Sequence, residues 1–258
     1  MHFTKALVRV PGSTFVDGLT SSGDLGRPDL SKALEQHGEY CRVLGECGLE
    51  ITVLPADGRY PDGTFVEDTA VLAERVGVIT RPGAPSRAGE VQSIAAALGR
   101  FRPELEQIEA PGTVDGGDIC EFDGHFLIGL SERTNEAGAR QLGRILALHG
   151  YSHSTLDIRG HRSLLHLKSG ISYLGDRRFV VAKGFPKTQA TSGFEIIEVA
   201  SEEAYAANCI RVNDYVLIAS GYPGLAARLG NLGLQIKSLD MSEFRKLDGG
   251  LSCLSLRF

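Results

Sequence analysis

Several classes are excluded by what this chain lacks. No window approaches the roughly 18 consecutive apolar residues of a membrane-spanning helix. The opening Met1-His2-Phe3-Thr4-Lys5-Ala6-Leu7-Val8-Arg9-Val10 has the pattern of a strand and no apolar leader core, so a cytoplasmic location is expected. No Cys-x-x-Cys occurs. The five cysteines, Cys41, Cys47, Cys120, Cys209 and Cys253, are odd in number and irregularly spaced, which argues against a disulfide framework or a zinc knuckle. Reduced thiols are expected, with Cys41 and Cys47 at the core or its boundary. No run of like charge is present, and a net charge of −5 speaks against a nucleic-acid or anionic-membrane partner. Tryptophan is also absent, which excludes nothing.

What remains is ordinary globular composition, 42% hydrophobic and 23% charged over 258 residues, with ample core. There is no linker and no low-complexity segment, so residues 1–258 read as a single domain. Helical periodicity covers Leu30 to Gly48, Ser86 to Phe101, Asn135 to Gly150 and Gly224 to Gly233. In the first window Leu30, Leu34, Tyr40, Val43 and Leu44 could share a face, and Gly45 or Gly48 suits the end. Asn135 is an expected N-cap. Strands are expected at Ala6 to Val10, Ile51 to Leu54, Ala70 to Leu72, Val76 to Thr80, Ile119 to Phe122, His125 to Ile128, Ile171 to Leu174, Phe179 to Ala182, Cys209 to Val212 and Tyr215 to Ala219. Asp123-Gly124, Gly175-Asp176 and Asn213-Asp214 read as hairpin turns.

A polar residue opens each strand pair: Glu67-Asp68, Asp115 with Asp118, His166, Asn208-Cys209 and Cys253. These openers recur every 43 to 50 residues. Five units of similar length suggest a radial array. The last unit has one strand, which Ala6 to Val10 could join to close the ring and remove a sheet edge. An α/β sandwich with coincidental spacing is the plainer alternative. In a radial array the openers meet at the axis, and a thiol, an imidazole and carboxylates then form a set suited to covalent catalysis. Surplus carboxylates suit a cationic substrate. Arg87 and Arg133 could clamp a carboxylate by paired hydrogen bonds. Together they describe a zwitterion with a distal cation, such as an arginine derivative.

The motifs Thr64-Phe65-Val66-Glu67-Asp68, Thr80-Arg81-Pro82-Gly83-Ala84, Glu109-Ala110-Pro111-Gly112-Thr113-Val114, Gly116-Gly117-Asp118, Ser131-Glu132-Arg133-Thr134-Asn135, Leu165-His166-Leu167-Lys168, Ala206-Ala207-Asn208-Cys209 and Asp248-Gly249-Gly250-Leu251-Ser252-Cys253 carry a resemblance. In number and order they resemble the dimethylarginine dimethylaminohydrolases of the guanidino-modifying, pentein-type superfamily. The match runs from Val16-Asp17-Gly18-Leu19 to the tail. It implies an α/β fold, a five-bladed α/β propeller of pseudo-fivefold symmetry with its active site on the axis.

The resemblance further implies hydrolysis of Nω-methylated L-arginines to L-citrulline and an amine, with no cofactor and no metal. Cys253 would be the nucleophile and His166 the acid and base. Asp115 would hydrogen-bond His166, and Asp68 would bind the guanidinium. Asp62, Phe65 and Glu67 would be further substrate contacts. Arg87 and Arg133 would take the α-carboxylate, and the carbonyls of Leu19 and Leu247 the α-ammonium. Some members carry Glu where Asp115 stands, which leaves the geometry of the His166 contact open. Arginine deiminases resemble His-x-Asp where this chain has His166-Leu167-Lys168, so Lys168 favours methylarginine. The partner expected is a small molecule, with a homodimer plausible through the outer helices. The competing readings are an arginine deiminase and a noncatalytic amino-acid-binding propeller. His125 is expected on a strand surface. His37, His149, His153 and His161 are expected in solvent, and Asp118 is expected to fix its own Gly-Gly turn.

Overall fold

The computed structural model describes residues 2–161 and 163–258. In chain order the elements are β1 (Lys5–Arg9), α1 (Leu30–Glu46), β2 (Glu50–Leu54), β3 (Ala70–Leu72), β4 (Gly77–Ile79), α2 (Val91–Leu98), β5 (Glu106–Gln107), β6 (Ile119–Phe122), β7 (His125–Leu130), α3 (Glu136–Leu148), β8 (Ser152–Asp157), β9 (Ile171–Gly175), β10 (Arg178–Val181), β11 (Glu195–Glu198), β12 (Ile210–Val212), β13 (Tyr215–Ala219), α4 (Pro223–Asn231), β14 (Gln235–Leu239), α5 (Ser242–Arg245) and β15 (Leu256–Arg257). They build five three-stranded sheets, β3-β4-β5, β6-β7-β8, β9-β10-β11, β12-β13-β14 and β15-β1-β2. In every sheet the first strand runs antiparallel to the middle one, which runs parallel to the third. The fold is an α/β propeller of five blades.

The hairpins form where turn chemistry allows them. Asp123, Asp176 and Asn213 take positive φ values of 48°, 50° and 54°, which short polar residues tolerate best. The parallel step of four blades is spanned by α1, α2, α3 or α4, as a parallel pair requires a crossover. In the β9-β10-β11 blade a short 3-10 turn, Gln189–Thr191, stands in the helix's place. Asn135 caps α3 by accepting from the Gly138 amide at 2.8 Å. Gly48, at φ 93°, turns the chain out of α1.

Two sequence expectations change. The buried face of α1 is Ala33, Gln36, His37, Tyr40, Val43 and Leu44, whereas Leu34 is 41% exposed. The 3.6-residue period puts His37 beneath Tyr40, so His37 is buried instead of solvated, and burial pushes its imidazole down to about 4. Strands β5, β8, β11 and β14 were not expected from their residues. Each is an edge strand with one hydrogen-bonded neighbour. Sequences such as Ser-His-Ser-Thr-Leu-Asp in β8 therefore need little apolar content.

The first strand of each sheet faces the axis. These five strands line a cavity of about 840 Å3. No helix among the described residues is long and apolar enough to cross a membrane.

Candidate active site

Each axial strand is preceded by a tight 3-10 turn or its flanking residue, and there the polar openers sit. Asp68 lies in the turn Val66–Thr69, Asp115 before Gly116–Asp118, His166 before Leu167–Ser169, Asn208 after Ser201–Ala207 and Cys253 within Ser252–Leu254. Close approach of these turns needs glycine. A Cβ on Gly117 would stand 2.9 Å from both the Asp68 carboxylate and the His166 ring, and one on Gly250 would stand 2.5 Å from Asn208 Oδ1.

His166 Nε2 is 3.0 Å from Asp115 Oδ2 and 4.0 Å from Asp68 Oδ1. The shorter Asp side chain therefore does reach the imidazole. Asp115 Oδ1 accepts from the Gly83 amide at 2.8 Å. Asp68 accepts from the Gly117 amide at 2.9 Å and from Arg87 Nη1 at 2.5 Å. Burial alone would lower the pKa of His166, but the facing carboxylates Asp68, Asp118 and Asp115 raise it to about 10. Burial opposes ionisation of Asp68, yet His166 and Arg87 hold it down at about 2. The ring is an imidazolium at neutral pH.

Cys253 is half-buried. Its Sγ accepts from the Gly250 amide at 3.4 Å and lies 3.9 Å from Ser252 Oγ. Burial, with the Glu67 and Asp68 carboxylates, pushes the thiol up to about 12. Asn208 braces this turn: its Nδ2 donates to Ser252 Oγ at 3.0 Å and to the Lys168 carbonyl at 2.9 Å, and its Oδ1 accepts from the Ser252 amide at 3.0 Å.

The other candidates are placed as follows. Glu67 is held by Lys168 Nζ at 2.5 Å and by Ser252 Oγ at 2.7 Å. Glu67, Lys168 and Ser252 all line the axial cavity. Arg87 is buried and already paired with Asp68 and Glu90, and it donates to the Phe65 carbonyl at 2.9 Å. Asp62 is buried and accepts from the Leu19 amide at 3.0 Å. Phe65 packs against Phe15 and Phe244. Leu247 is buried and Leu19 is 41% exposed on the segment before α1. Arg133 is half-buried on the loop after β7.

Three features were not read from the sequence. Asn208 bridges to Ser252. Asp248 accepts from Ser21 and Ser22, tying the segment before α1 to the turn that carries Cys253. The Asp118 side chain leaves its own turn altogether and reaches Ser131, Thr134 and Leu167. The sequence signal for the last is the pair of hydroxyls flanking Arg133 in Ser131-Glu132-Arg133-Thr134, which reads equally well as loop chemistry.

A family model described as arginine deiminase matches residues 92–219. The N(G),N(G)-dimethylarginine dimethylaminohydrolase of Pseudomonas aeruginosa is 48% identical over 257 residues, covering 99% of this chain and 100% of that protein. The chain belongs to the dimethylarginine dimethylaminohydrolase family. Solved structures of dimethylarginine dimethylaminohydrolases agree. A cysteine-to-serine variant of the Pseudomonas aeruginosa enzyme complexed with citrulline has a TM-score of 0.96 at 47% identity, with both chains fully covered. A histidine-to-glycine variant, solved as an adduct with S-methyl-L-thiocitrulline, has a TM-score of 0.95 at 47% identity over 99% of this chain and 100% of that one.

Proposed function

We propose that this chain hydrolyses Nω-methyl- and Nω,Nω-dimethyl-L-arginine to L-citrulline and methylamine or dimethylamine. One observation carries the reading. In a chain about half identical to a named dimethylarginine dimethylaminohydrolase, an imidazolium held by two carboxylates and a lone thiol stand on turns at the same end of the axial strands. The relative's complex with citrulline supports the product.

The guanidinium binds against Asp68 and Asp115. Its positive charge offsets the carboxylates that hold the Cys253 proton, so the thiol ionises as substrate arrives. The thiolate attacks the guanidinium carbon and forms a C–S bond. The imidazolium of His166 protonates the methylated nitrogen as the C–N bond breaks, and the amine leaves. Neutral His166 then takes a proton from water, which attacks the S-alkylthiouronium carbon. The C–S bond breaks, releasing citrulline and the thiol. One group serves as acid and then as base.

Substrate length is read at the far end. The Leu19 and Leu247 carbonyls and Asp62 receive the α-ammonium, with Phe65 and Glu67 as wall contacts. Arg133 meets the α-carboxylate. Arg87 joins it through the Nη1 hydrogen left over from the Asp68 bond. Lys168 neutralises Glu67, so two carboxylates remain for the guanidinium and the methyl groups meet no third.

The test is citrulline formation from arginine, monomethylarginine, asymmetric dimethylarginine and agmatine. Methylated substrates should give the highest kcat/KM, and Cys253→Ser should abolish turnover. Higher kcat/KM on plain arginine would make the chain a deiminase. Normal turnover by Cys253→Ser would remove the nucleophile. A cytoplasmic homodimer, paired through outer helices such as α1, completes the reading and is checked by light scattering.

A further inference from the structure

Asp118 is fully buried, and the chemistry above leaves it without a part. Among the described residues no lysine or arginine forms an ion pair with it, and the His166 imidazolium is a cation bearing on it. Burying a carboxylate there is costly, and a neutral residue could close the Gly116-Gly117 turn. What it does instead is join three segments of the site. Its Oδ1 accepts from the Leu167 amide at 2.9 Å, next to His166 and one blade away. Its Oδ2 accepts from Ser131 Oγ at 2.6 Å and from Thr134 Oγ1 at 2.7 Å.

Those hydroxyls are committed as acceptors on their other side. Thr134 Oγ1 accepts from the Asp115 amide at 3.1 Å, and Ser131 Oγ accepts from the amides of Arg133 at 2.9 Å and Thr134 at 3.1 Å. With both its lone pairs used, Ser131 Oγ must donate to Asp118, and Thr134 Oγ1 donates to the same oxygen, so an acceptor fits there. The packing is tight: a Cβ on Gly129 would stand 2.9 Å from Leu167 and 3.3 Å from Asp118 Oδ1.

We propose that Asp118 is a positioning residue of the reaction: it aims His166 at the departing nitrogen and holds Asp115 and the Arg133 loop in register with it. The inference rests on His166 being the proton donor. Its specific consequence is that loss of Asp118 harms expulsion of an amine, which needs a proton, more than expulsion of a thiolate, which leaves without one.

The experiment compares covalent adduct formation on Cys253, followed by mass spectrometry, from dimethylarginine and from S-methyl-L-thiocitrulline. Asp118→Asn keeps the shape, removes the charge and turns one of the two acceptor oxygens into a donor, so the Leu167 amide and the two hydroxyls can no longer all be satisfied. Its rate with dimethylarginine should fall about 10- to 100-fold, by analogy with the outer partners that orient metal-ligating histidines. The rate with the thioether should fall at least tenfold less. Thr134→Val should shift the ratio the same way, and Thr134→Ser, which restores the hydroxyl, should recover most of it. The Thr134 pair carries the test if Asp118→Asn does not fold. Equal falls on both substrates, no fall on either, or a Thr134→Ser as impaired as Thr134→Val would overturn the inference. His166→Gly is run alongside: normal turnover of dimethylarginine by that variant would instead overturn the assignment of His166.

Discussion

His166 is protonated as in a preformed thiolate–imidazolium pair, but Cys253 is held as the thiol. Burial with the Glu67 and Asp68 carboxylates lifts the thiol to about 12. The same acidic cluster keeps His166 protonated to about 10. A carboxylate-lined site for a cation stabilises the acid but works against the nucleophile until the cation is bound. The free enzyme should therefore show no Cys253 thiolate absorbance at 240 nm at pH 8, and saturating a slow guanidinium ligand should make it appear. Cys253→Ser supplies the baseline. Thiolate absorbance titrating near pH 7 without ligand would contradict this account. His166 and Cys253 were legible from their residue types and spacing. Their pKa directions were not, because those depend on which carboxylates face them across blades.

At the scale of elements, the segment from Gly18 to Arg27 carries the Leu19 carbonyl of the proposed site. It is largely exposed, and it is held by few bonds. Thr20 Oγ1 donates to the Lys246 carbonyl, and Ser21 and Ser22 donate to Asp248. Asp248 has a φ of 58° and immediately follows Leu247, whose carbonyl is proposed to read the α-ammonium. It therefore sets the distance between the Leu19 and Leu247 carbonyls. Removing two hydrogen bonds of about 1 kcal/mol each with Asp248→Ala should raise KM roughly 5- to 30-fold and change kcat less. Steady-state kinetics decide it, and an equal fall in kcat at unchanged KM would place Asp248 in the chemistry instead. The turn residues of this element were visible in sequence. Its partner was not, since Ser22 and Asp248 stand at opposite ends of the chain and meet only in the folded ring.

For the whole molecule, the first and last strands share one sheet. Ala6 pairs with Arg257 and Leu7 with Leu256, and Lys5 and Phe258 exchange both backbone hydrogen bonds. Leu256 is buried, and Phe258 packs on Phe101. Deleting Leu256 to Phe258 should cost about 3–5 kcal/mol from lost apolar burial, roughly 10 °C in melting temperature. It should also abolish turnover, because the same strand follows directly on the Cys253 turn. An unchanged melting temperature would show that the tail is dispensable.

Alternation, turn dipeptides and helical period by themselves determined the blade hairpins, the four helical windows and the recurrence that made a five-bladed ring readable. These are local properties, set by which side chains suit a half-buried strand or a positive φ. The polar openers were equally visible, because reactive residue types at strand starts stand out against an apolar pattern. Only the tertiary structure decided that Arg87 pairs with Asp68 and Glu90, that Lys168 occupies Glu67, that His37 is buried and that Asp118 serves the neighbouring blade. Apart from the local Arg87–Glu90 pair, each of those depends on contacts between residues 19 to 101 apart or on the packing of one helix face, and hydrogen-bond partners at such separations leave no periodic trace in the chain.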